Sequence, residues 1–137
     1  MLDRLFVYGT LRRGCDNPWQ RRLRREAQWL GHAQVVGGLY DLGPYPAMVR
    51  SPFAAGMVIG DLYRLRAPTA TLRWLDAYEG CDAAAREPRE YRRKYLEIVA
   101  VGGTSVDAWV YLYTRPLRGA IPIETGDYLA FCARGSR

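Results

Sequence analysis

The chain has 137 residues, 49% of them hydrophobic and 25% charged, with a formal net charge of +6. That length and apolar content fit one domain, residues 1–137, with a core of its own. No apolar run approaches the ~20 residues of a membrane span, so no membrane partner is expected.

Residues 4–8 read as a short strand ending at Gly9. Residues 18–30 read as a helix, with Asn17 as N-cap, Pro18 in the first turn and Gly31 at the C-terminal cap. Trp19, Leu23, Ala27 and Leu30 form its apolar stripe. Residues 33–41 look like a strand, followed by a turn-rich loop through Pro46. Residues 47–50 and 56–65 look like further strands, the second with the mixed alternation of a strand buried on both faces.

Pro68 opens a second helix over 69–79, and Gly80 stops it. Residues 81–90 read as a loop. Residues 91–101 and 106–113 are two β-rich runs around Gly102-Gly103, a hairpin signal. Residues 114–126 read as irregular, and Asp127 caps a last short helix through Cys132. The order does not alternate βαβα. It predicts an α+β fold, a curved or barrel-like mixed sheet with helices packed on it.

Three cysteines (Cys15, Cys81 and Cys132) and one histidine (His32) make no CxxC or HExxH spacing. No metal site is therefore expected. An odd cysteine count and no apolar stretch behind Met1 point to reduced thiols in a cytoplasm. Lys94 is the only lysine. The arginine-rich surplus permits nucleic-acid binding, but no stacking platform or known motif accompanies it.

Three features bear on chemistry. The first is the run Phe6-Val7-Tyr8-Gly9-Thr10-Leu11-Arg12-Arg13-Gly14. Its two glycines have a P-loop spacing, but Cys15-Asp16 stand where phosphate chemistry needs Lys and Ser or Thr. Two readings remain: an ordinary strand and turn, or a concave set of backbone N–H groups suited to a carboxylate.

The second feature is the helix before Gly80. At ~100° per residue, Leu72, Leu75, Asp76 and Glu79 share one face. Glu79 thus falls at the margin of the buried side, in the last turn. Burial and the helix dipole both disfavour its charge and raise its pKa toward general acid–base use. The other reading of the same phase is a buried glutamate paired with an arginine.

The third feature is ten tyrosines. Tyr91, Tyr95, Tyr111 and Tyr113 fall in the late β-runs as core or sheet residues. Tyr45-Pro46-Ala47 sets a loop that either flanks a pocket or simply turns the chain.

Taken in order, these blocks resemble the gamma-glutamylcyclotransferase-like family, the AIG2-like or gamma-glutamylamine cyclotransferase group. The resemblance rests on residues 6–14 with Asn17, on Gly38-Leu39-Tyr40-Asp41-Leu42-Gly43-Pro44-Tyr45-Pro46-Ala47, and on Gly60-Asp61-Leu62-Tyr63. It continues through Leu75-Asp76-Ala77-Tyr78-Glu79-Gly80, Tyr91-Arg92-Arg93, Ala108-Trp109-Val110-Tyr111 and Ile123-Glu124-Thr125-Gly126-Asp127.

The resemblance implies a mixed β-barrel with flanking helices. It implies a cofactor-free transferase or lyase that cleaves a γ-glutamyl amine or γ-glutamyl amino acid to 5-oxoproline. It implies that Glu79 is the catalytic acid and base, and that Tyr8, Gly9, Thr10 and Leu11 bind substrate. Tyr91 and Tyr111 become pocket walls or hydroxyl donors. A charged insertion at 81–88 departs from shorter relatives, as a cover for the pocket or a modifier of the leaving group accepted. The competing expectation is a non-catalytic small-molecule-binding module on the same fold.

Overall fold

Eight strands and three helices form in the computed structural model, which describes residues 2–43, 45–50, 56–80, 91–117 and 119–134. In chain order they are β1 (Arg4–Val7), α1 (Pro18–Glu26), β2 (Ala27–Val36), β3 (Gly38–Asp41), β4 (Pro46–Val49), β5 (Met57–Leu65), α2 (Pro68–Tyr78), β6 (Tyr91–Ala100), β7 (Ser105–Tyr113), β8 (Ile121–Pro122) and α3 (Tyr128–Ala133). The insertion expected at 81–88 lies outside the described residues.

The strands β1-β5-β2-β6-β7 close into a barrel, and a separate three-stranded sheet runs β4-β3-β8. The barrel is mixed: β1 meets β7 in parallel at Leu5 and Trp109, and its other pairings are antiparallel. The expected barrel-like sheet is thus present, with a second small sheet beside it. Among the described residues, no helix is long and apolar enough to cross a membrane.

Leu5, Phe6 and Val7 of β1 are apolar in succession because both of the strand's faces are covered there. Phe6 and Tyr8 join one core cluster with Val58, Leu96, Ile98 and Val110. Leu5 and Val7 join a second with Leu23, Leu65, Leu72 and Leu75, where α1 and α2 pack. The chain leaving β1 therefore emerges between the two cores.

The first helix is shorter than its periodicity predicts. It ends at Glu26, and Ala27, Gln28, Trp29 and Leu30 already belong to β2. Pairing with β5 from Ala27 to Val36 overrides the continued stripe. Gly31 is consequently a strand residue, at a register shift, with φ of 125°. Of the expected stripe, Leu23 and Ala27 are buried, while Trp19 and Leu30 are exposed. The strand expected at 33–41 is divided between β2 and β3, and 114–126 contains the short β8.

Other signals keep their predicted roles. The Asn17 side chain accepts from the Gln20 N–H at the start of α1, and Asp127 accepts from the Ala130 N–H at the start of α3. Gly80, at φ of 70°, stops α2 just after Glu79.

Candidate active site

A cavity of about 300 Å3 opens where β1, the β4 entry, the end of α2 and the strands β6 and β7 converge. That volume lies at the lower end of the range for small-molecule sites. Every residue to which the family resemblance gives a site role lines it: Tyr8, Gly9, Thr10, Leu11, Glu79, Tyr91 and Tyr111. Tyr45 and Pro46 also face it, so the turn before β4 does flank the pocket.

One wall is the loop after β1, and its shape is fixed by hydrogen bonds to two of its carbonyls. The Arg12 N–H donates to the Gly9 carbonyl at 3.1 Å, and the Cys15 thiol approaches the same oxygen at 3.6 Å. The Asn17 side-chain amide donates to the Thr10 carbonyl at 2.8 Å. In a trans peptide the N–H points opposite to the C=O. Engaging the Gly9 and Thr10 carbonyls therefore turns the Thr10 and Leu11 N–H groups the other way. Neither N–H makes a hydrogen bond among the described residues. Gly9 suits this position because a Cβ there would meet Pro46 Cγ at 2.7 Å.

Beneath the loop lies a buried ion cluster. Arg12 and Asp61 are 3% and 1% exposed. Arg12 Nε donates to Asp61 Oδ2 at 3.2 Å, and Nη1 to Asp127 Oδ1 at 2.7 Å. Asp61 further accepts from the Arg13 N–H at 2.9 Å and Trp29 Nε1 at 3.2 Å, with His32 Nδ1 at 2.9 Å. These partners satisfy the hydrogen-bonding needs of both Asp61 oxygens despite their burial.

The opposite wall is the end of α2. Glu79 is the C-cap of that helix, its N–H bonded to the Leu75 carbonyl, and its side chain is half-buried. Its charge reaches two tyrosines. Burial, and after it the Glu79 charge, push the Tyr8 hydroxyl well above 10.0, offset in part by a backbone hydrogen bond from Met48. Burial raises Tyr78 as well; its Thr10 hydrogen bond opposes the shift, and the Glu79 and Cys15 charges add to it. Both tyrosines stay protonated beside Glu79.

The third wall is aromatic. Tyr8 donates to the Tyr111 carbonyl at 2.5 Å, and Tyr91 to the Pro46 carbonyl at 3.0 Å. Tyr111 donates to Asp76 Oδ1 at 2.6 Å. Their hydroxyl protons are spent on the protein, which leaves Tyr91 and Tyr111 as walls rather than donors to a ligand. Asp76 also takes both ends of Arg93, at 2.7 and 3.0 Å. Asp76, one turn before Glu79 on the helix, is thus held in a two-pronged arginine pair.

Sequence reasoning did not assign site roles to Arg12, Asn17, Asp61, Asp76 or Asp127, which hold these walls. Asp61 carried a signal: it is a carboxylate in the middle of the mostly apolar β5, where an unpaired buried charge is not tolerated.

The arrangement can hold an anion on backbone N–H groups at one side and present a carboxyl at the other. Among the described residues, no group of three or more His, Cys, Asp or Glu is placed to hold a metal.

Comparison with known proteins places this geometry. The model of the family "Gamma-glutamyl cyclotransferase, AIG2-like" matches residues 5–130. The chain is 35% identical over 133 residues to the gamma-glutamylcyclotransferase family protein YtfP of Escherichia coli strain K12, covering 92% of this chain and 96% of that protein. It is 30% identical over 116 residues to the gamma-L-glutamyl-butirosin B gamma-glutamyl cyclotransferase of Niallia circulans, covering 83% of this chain and 69% of that one. The solution NMR structure of Escherichia coli ytfP superimposes with a TM-score of 0.65 at 36% identity, over 92% of this chain and 96% of the other.

Proposed function

The chain belongs to the gamma-glutamyl cyclotransferase, AIG2-like family and is a gamma-glutamylcyclotransferase-like enzyme; from that premise we propose that it cleaves a γ-glutamyl amide to 5-oxoproline and a free amine, with Glu79 as the acid and base. The observation that carries this reading is the single cavity lined by both the 8–11 loop and Glu79, which are some seventy residues apart in the chain. The naming of a relative for γ-L-glutamyl-butirosin B supports an amide of this class as substrate.

In this reading the Thr10 and Leu11 N–H groups hold the substrate's α-carboxylate, or the γ-carbonyl oxygen as it gains charge. Tyr91 and Tyr111 confine the γ-glutamyl chain in a bent form. Its α-nitrogen then lies over its own γ-carbonyl carbon. Because the attack is intramolecular, positioning supplies much of the acceleration; effective molarities reach ~10⁵–10⁸ M.

The protons are the remaining difficulty. The Glu79 carboxylate takes one from the α-ammonium, and the freed amine bonds to the γ-carbonyl carbon. As the bond to the leaving nitrogen breaks, Glu79 gives that nitrogen its proton. The ring nitrogen's surplus proton follows, so the amine departs as an ammonium and Glu79 ends as a carboxylate. No water is consumed and no cofactor takes part. We place the reaction in the cytoplasm, where free thiols such as Cys15 and Cys132 persist.

The test is 5-oxoproline release from a panel of γ-glutamyl amines and amino acids. Wild-type protein should turn over at least one. Glu79→Gln, which keeps shape and removes the titratable group, should lower kcat by ~10²–10⁴-fold. Full activity in Glu79→Gln would remove Glu79 from the mechanism. Tight binding across the panel with no turnover would favour a binding module instead.

A further inference from the structure

The cavity lining carries aromatic surface that the chemistry above does not use. Tyr78 lines the cavity one residue before Glu79 and is 37% exposed. Its hydroxyl shares a 3.2 Å hydrogen bond with Thr10 Oγ1, so the ring bridges α2 and the substrate loop. Trp19 of α1 packs on Tyr78 with ring centroids 5.2 Å apart, and stacks on Trp74 at 5.9 Å.

The base of this stack is fixed. Trp74 is 9% exposed, donates its indole N–H to Glu26 at 2.9 Å, and is covered by the Arg22 guanidinium at 4.5 Å. The outer end is open, since Trp19 is 42% exposed. Scattered exposed apolar residues need no explanation. Two touching aromatic rings, one of them lining the cavity, are a preorganised contact surface.

Resting on the cyclotransferase reading, the leaving amine is the part of the substrate that would lie there. The scissile nitrogen receives its proton from Glu79, while the γ-glutamyl head lies against residues 9–11. Tyr78 adjoins Glu79, that nitrogen's proton donor, in the cavity lining, and the exposed Trp19 extends its aromatic surface. A cation is disfavoured on this stack, because Arg22 already covers its inner ring and the chain carries +6 overall.

We propose that Tyr78 and Trp19 form the leaving-group subsite, and that the enzyme prefers γ-glutamyl amides of amines bearing a flat, uncharged aromatic group.

The experiment compares γ-glutamyl-benzylamide with γ-glutamyl-methylamide, reading 5-oxoproline release. Wild-type protein should favour the benzylamide in kcat/KM by about tenfold, the scale of one or two ring contacts. Trp19→Ala should bring that ratio toward one by raising KM for the benzylamide, and Trp19→Phe should restore most of it. A purely structural role for Trp19 would lower both substrates together and leave the ratio intact. A wild-type ratio near one, or a ratio unchanged in Trp19→Ala, overturns the subsite while leaving the cyclotransferase reading standing. An absence of 5-oxoproline from every amide tried overturns both.

Discussion

Arg12–Asp61 behind the loop wall and Arg93–Asp76 behind the tyrosine wall pair the same residue types in different surroundings. The first pair is sealed, with side-chain exposures of 4% and 1%, and the second is partly wetted, at 24% and 19%. The sealed pair gains little net stability from its attraction, because desolvation opposes it. It does make the loop intolerant of change, since losing either partner strands a charge. The wetted pair tolerates loss more easily, so the wall near Glu79 is the more adjustable one. The cavity thus joins a rigid surface that would hold the γ-glutamyl group to a softer one that would carry the proton.

The largest expected effect comes from breaking the sealed cluster. Asp61→Ala should cost about 3–5 kcal/mol, as for other buried ion pairs that lose one partner. Urea unfolding would read this as a lower midpoint. A loss below ~1 kcal/mol would mean that the two clusters are energetically alike.

A milder cut on the same wall is Asn17→Ala. It removes both the α1 cap and the hydrogen bond to the Thr10 carbonyl, and caps alone contribute ~1–2 kcal/mol. Its more telling effect is on catalysis. The Thr10–Leu11 peptide is freed to rotate, so KM for a γ-glutamyl amide should rise more than kcat falls.

On the softer wall, Asp76→Asn should cost about 1 kcal/mol, discounted for solvent access. A double-mutant cycle with Tyr111→Phe should show coupling, because Tyr111 donates to Asp76. Strictly additive losses would deny that Asp76 positions Tyr111.

How much of this was legible in the sequence differs between the walls. Glu79 could be placed from helical phase alone, because a single helix turn relates it to Leu75 and Gly80. The loop's partners could not be placed. Arg12 reaches Asp61 and Asp127 across 49 and 115 residues of chain, and no local pattern encodes such distances. The helix overrun at 27–30 has a related cause. Ala27 and Leu30 continue an apolar stripe, but pairing of this segment with β5 decides its conformation. Closure of β1 onto β7 likewise depends on a parallel contact between distant segments.

The smallest expected effect concerns pH. Burial alone would raise Glu26, but hydrogen bonds from Thr71, Trp74 and Arg22 outweigh it and hold the carboxyl below its ordinary 4.5. A lowered folded-state pKa stabilises above the ordinary value and is lost as pH falls through the folded one. Thermal melts should therefore show Tm falling as pH drops below 4.5, and falling less steeply in Glu26→Gln. Equal slopes would remove Glu26 as a fastener of the Trp74 base.

The most direct measurement is a crystal structure with 5-oxoproline bound. The account predicts the product's carboxylate or ring carbonyl on the Thr10 and Leu11 N–H groups, with the lactam nitrogen within hydrogen-bond reach of the Glu79 carboxyl. Product bound away from this cavity, or in it with Glu79 turned out of reach, would contradict the account.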